Sequence, residues 1–79
     1  MSPEQVGAIV NSIRPLLAGK PPELIGAVLA DLLAMWLAGY VVQGDAAATA
    51  QVRREILGAH LDGMHPLIAI NAKLMGTDP

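Results

Sequence analysis

The sequence predicts an all-α fold, a small bundle of three main helices completed by homo-oligomerisation. Three observations carry that expectation. Apolar residues recur at spacings of three and four along most of the chain, whereas β-branched residues are too scattered to build the period-two runs of a half-buried strand. Capping residues, prolines and glycines divide the chain into three such stretches within a single domain, 1–79. Finally, 53% of only 79 residues are hydrophobic. A compact monomer of this length has a small interior, so a further surface is needed to cover the surplus.

The first helix is expected over about 3–18. Ser2 can cap, Pro3 suits the first helical position, and Gln5 stands where a capping box wants its reciprocal partner. Val6, Ile9, Val10, Ile13, Leu16 and Leu17 then make one apolar stripe. Pro15 lies inside it and lacks the amide donor for the carbonyl of Asn11, so a kink or short break is expected there before the stop at Gly19.

Pro21 and Pro22 prevent direct continuation, and Pro22-Glu23 suits the opening turn of a second helix, expected over 22–39. Asp45 is a good N-cap for the alanine-rich start of a third helix, expected over 46–75 and followed by a tail, 76–79. Val52, Ile56, Ala59, Gly63, Leu67, Ile70 and Leu74, with Leu57, Leu61, Met64, Ile68 and Met75 alongside, form one broad apolar face. Because that face crosses Pro66, a kinked long helix is the first expectation and a break at Asp62-Gly63 the second.

The second helix is apolar nearly all round, as a buried or membrane-spanning helix would be. Gly26, Ala30, Ala34 and Ala38, each four apart, form a ridge of small residues that lets another backbone come close. Trp36 and Tyr40, one turn apart, suit a subunit interface. These six residues are the candidate interface. The alternative is a membrane span at Leu24–Val42, a window of 19 residues with one charge. Against it stands Asp31 near the centre, a charge that costs about 2.5–3.5 kcal/mol on insertion scales. In a water-soluble bundle Asp31 is expected to face solvent or to pair with Arg14, Arg53 or Arg54.

The only dense polar cluster is His60-Leu61-Asp62-Gly63-Met64-His65, which with Asp31 makes the alternative reading of a metal-binding or enzymatic bundle. On a regular helix His60 and Asp62 point to nearly opposite sides and only Asp62 and His65 share a face, so convergence requires a break at Gly63. No residue is assigned a catalytic, cofactor-binding or metal-binding role. Ser2, Ser12 and Thr49 have no activating base at a suggestive spacing, and no glycine-rich phosphate loop is present. A net charge of −2 with five dispersed Lys and Arg residues supplies no basic stripe for nucleic acid. The absence of cysteine fits a cytoplasmic protein, and Met1–Leu17 does not read as a signal peptide. The expected function is a non-enzymatic interaction or assembly module, with a second copy, or another protein, as partner.

Overall fold

The computed structural model describes residues 1–78. Pro79, the last residue of the expected tail, lies outside the described residues. The chain is all-α, with α1 at Pro3–Leu17, α2 at Pro22–Ala38 and α3 at Ala46–Met75. It divides into two compact units, Met1–Leu33 and Ala34–Pro79.

In the first unit, α1 opens on a complete capping box. The Ser2 hydroxyl accepts from the Gln5 amide at 3.2 Å, and the Gln5 side chain accepts from the Ser2 amide at 2.9 Å. With Pro3 carrying no N–H, two of the three remaining orphan donors of the first turn are thereby satisfied. α1 continues through Pro15 without a break. The proline falls in the last turn, where few hydrogen bonds remain to be lost. Ala18 then turns to extended backbone while its amide donates to Arg14. At the start of α2, the Pro21 carbonyl accepts from the amides of Leu24 and Ile25, a role that needs no N–H of its own.

In the second unit, α2 ends at Ala38, a turn follows, and Asp45 caps α3 by accepting from the Ala48 amide at 2.8 Å. Gly44 enters this cap with φ +74°, backbone that a Cβ disfavours. α3 is continuous over 30 residues, through both Gly63 and Pro66, as the first expectation had it, and the alternative break at Asp62-Gly63 does not occur. One interior proline removes a single hydrogen bond, and the helical stretches on either side hold the register. The helix ends at Gly76, φ +73°, with the Thr77 amide donating to the Ala72 carbonyl at 2.9 Å. This closure leaves the left-handed position to glycine and occupies a carbonyl of the last turn.

The segment Leu24–Val42, the alternative membrane span, does not form one continuous helix. α2 holds 17 residues, about 25 Å of helix against a hydrocarbon core of about 30 Å, and Tyr40, Val41 and Val42 belong to the turn. Among the described residues no helix is long and apolar enough to cross a membrane.

No hydrophobic residue among the described residues is buried. The one buried residue is polar, Thr49. Large side chains from all three helices, Ile9 and Leu16 of α1, Leu29 and Met35 of α2, and Leu74 of α3, are at least half exposed.

Candidate functional site

The most densely bonded place in the molecule is the corner between the end of α2 and the start of α3. The last carbonyls of α2 have no partner within the helix, and the turn must satisfy them. The Gly39 amide donates to Trp36 and the Tyr40 amide to Leu37, tightening the last turn. Arg53, about two turns into α3, sends Nε to the Tyr40 carbonyl at 3.1 Å and Nη2 to the Ala38 carbonyl at 3.0 Å. Its fixed fork of donors thus closes the negative end of α2 from another helix.

Thr49 is the second staple. Its hydroxyl oxygen accepts from the Val42 amide at 2.9 Å. Its single proton has the Asp45 carbonyl at 2.8 Å and the Val42 carbonyl at 3.2 Å in reach. One buried hydroxyl therefore ties the turn to the first turn of α3. Neither role was marked in the sequence: Arg53 stood out only as one of three possible partners for Asp31, and Thr49 only as a hydroxyl without an activating base. The bonds span 7, 13 and 15 positions, beyond the reach of helical periodicity.

Trp36 and Tyr40 stand edge to face with ring centroids 5.8 Å apart. The His60 ring lies 5.1 Å from Trp36. One aromatic cluster thus joins two candidate interface residues to a member of the histidine–aspartate pattern, leaving Trp36 and Tyr40 still exposed. The small ridge has a mixed placement. Ala34 and Ala38 border a shallow groove of about 300 Å³ whose other wall is Arg53, Arg54 and Leu57 of α3, so its far end meets a neighbour within the chain. Gly26 and Ala30 are exposed, and a Cβ added at Gly26 would meet nothing within 4 Å.

The polar alternative does not assemble. Asp31, His60, Asp62 and His65 are all exposed. Since α3 is unbroken, His60 and Asp62 diverge by about 200° around the helix, which keeps three donors from meeting at one point. Among the described residues no group of three or more His, Cys, Asp or Glu side chains is placed to hold a metal ion. In the first unit, an open groove of about 660 Å³ is lined by Asn11, Arg14, Pro15, Leu17, Ala18 and Ile25. Its polar groups come from one helix turn and are exposed, an arrangement without chemical convergence.

What fold and site define is an all-α chain with a polar-stapled helical corner and uncovered apolar helix faces. The chain matches no family model, no curated protein and no solved structure.

Proposed function

We propose that this chain is a non-enzymatic helical assembly module that acts as a homo-oligomer, most simply a symmetric dimer, with its bundle completed by the second copy. The observation that carries this reading is the missing interior: no hydrophobic residue is buried among the described residues. Closed two-fold assembly is the commonest arrangement of small soluble chains, and a second copy would cover apolar helix faces that one chain leaves open. The cysteine-free composition supports the cytoplasm as its place of action.

The test is the absolute mass of the untagged protein by light scattering after size-exclusion chromatography, without detergent. A discrete species of twice 8.2 kDa or a higher multiple is expected. A monomer that unfolds cooperatively at micromolar concentration would overturn the reading, because it would show that one chain suffices for a stable fold.

A further inference from the structure

We draw no further inference here: the strongest candidate, the shallow groove of the second unit between the end of α2 and the start of α3, bordered by Ala34, Ala38, Arg54 and Leu57, is an open apolar surface, and nothing in the structure shows what covers it.

Discussion

Replacing Thr49 by valine removes the hydroxyl of the one buried residue and keeps its shape and β-branching, so the hydroxyl's contribution can be worked out group by group. The Asp45 carbonyl keeps the Thr49 amide as donor at 3.0 Å, and the Val42 carbonyl keeps the Asp45 amide at 3.2 Å. The Val42 amide loses its Thr49 acceptor, and no other backbone acceptor replaces it. An orphaned buried donor costs about 1–3 kcal/mol. Val42 is itself partly open to water, which places the loss at about 1–2 kcal/mol, the lower part of that range. For a domain of this size the thermal midpoint falls by about 4–8 °C for each kcal/mol. The assay is thermal or urea unfolding at fixed protomer concentration, because self-association makes the midpoint concentration-dependent. Thr49→Ser is the control, since it keeps the hydroxyl. A valine variant as stable as the wild type would refute the claim that this hydroxyl holds the corner.

Arg53→Ala is expected to lose about 1–2 kcal/mol, since two carbonyls at the end of α2 lose a charged donor that is itself partly exposed. Arg53→Lys should recover only part of it, because one ammonium cannot reproduce the fork; full recovery in urea unfolding would argue against the two-carbonyl bridge. Pro66→Ala should raise the helical signal and the stability, by up to about 3 kcal/mol at an exposed interior position, and the thermal midpoint with it. A lower midpoint would mean that the proline serves packing not visible in one chain. Ser2→Ala is expected to cost about 0.5–1 kcal/mol and to speed hydrogen exchange of the Gln5 amide, which loses its acceptor. Unchanged exchange there would count against the capping box.

The three helices were legible because their signals are local. Ser2 with Gln5, Pro21 and Asp45 mark starts through bonds reaching three or four positions, and a periodicity of 3.6 records which residues share a face. Of the two readings of Gly63 and Pro66, a long helix crossing both and a break at Asp62-Gly63, the first is the one that occurs. Residue propensities rank local cost but leave out the cooperativity that carries an established helix across one missing bond. The candidate site was less legible. Trp36 and Tyr40 were singled out as an aromatic pair one turn apart, yet His60, the third ring, arrives from a different helix.

By itself the sequence determined the all-α class, the approximate helix limits, the caps and the excess of apolar residues, all of which follow from composition and from contacts within one or two turns. Only the tertiary structure decided that Thr49 and Arg53 staple the corner, that Ala34 and Ala38 border a groove walled by α3, and that the histidine–aspartate pattern does not converge. Those outcomes depend on where the turn at Gly39–Asp45 sends the chain, and hydrogen-bond partners 13 and 15 residues apart are chosen by that direction rather than by propensity. The same structure showed that the apolar faces stay open, because helices joined by short turns can form from local signals without enclosing a core.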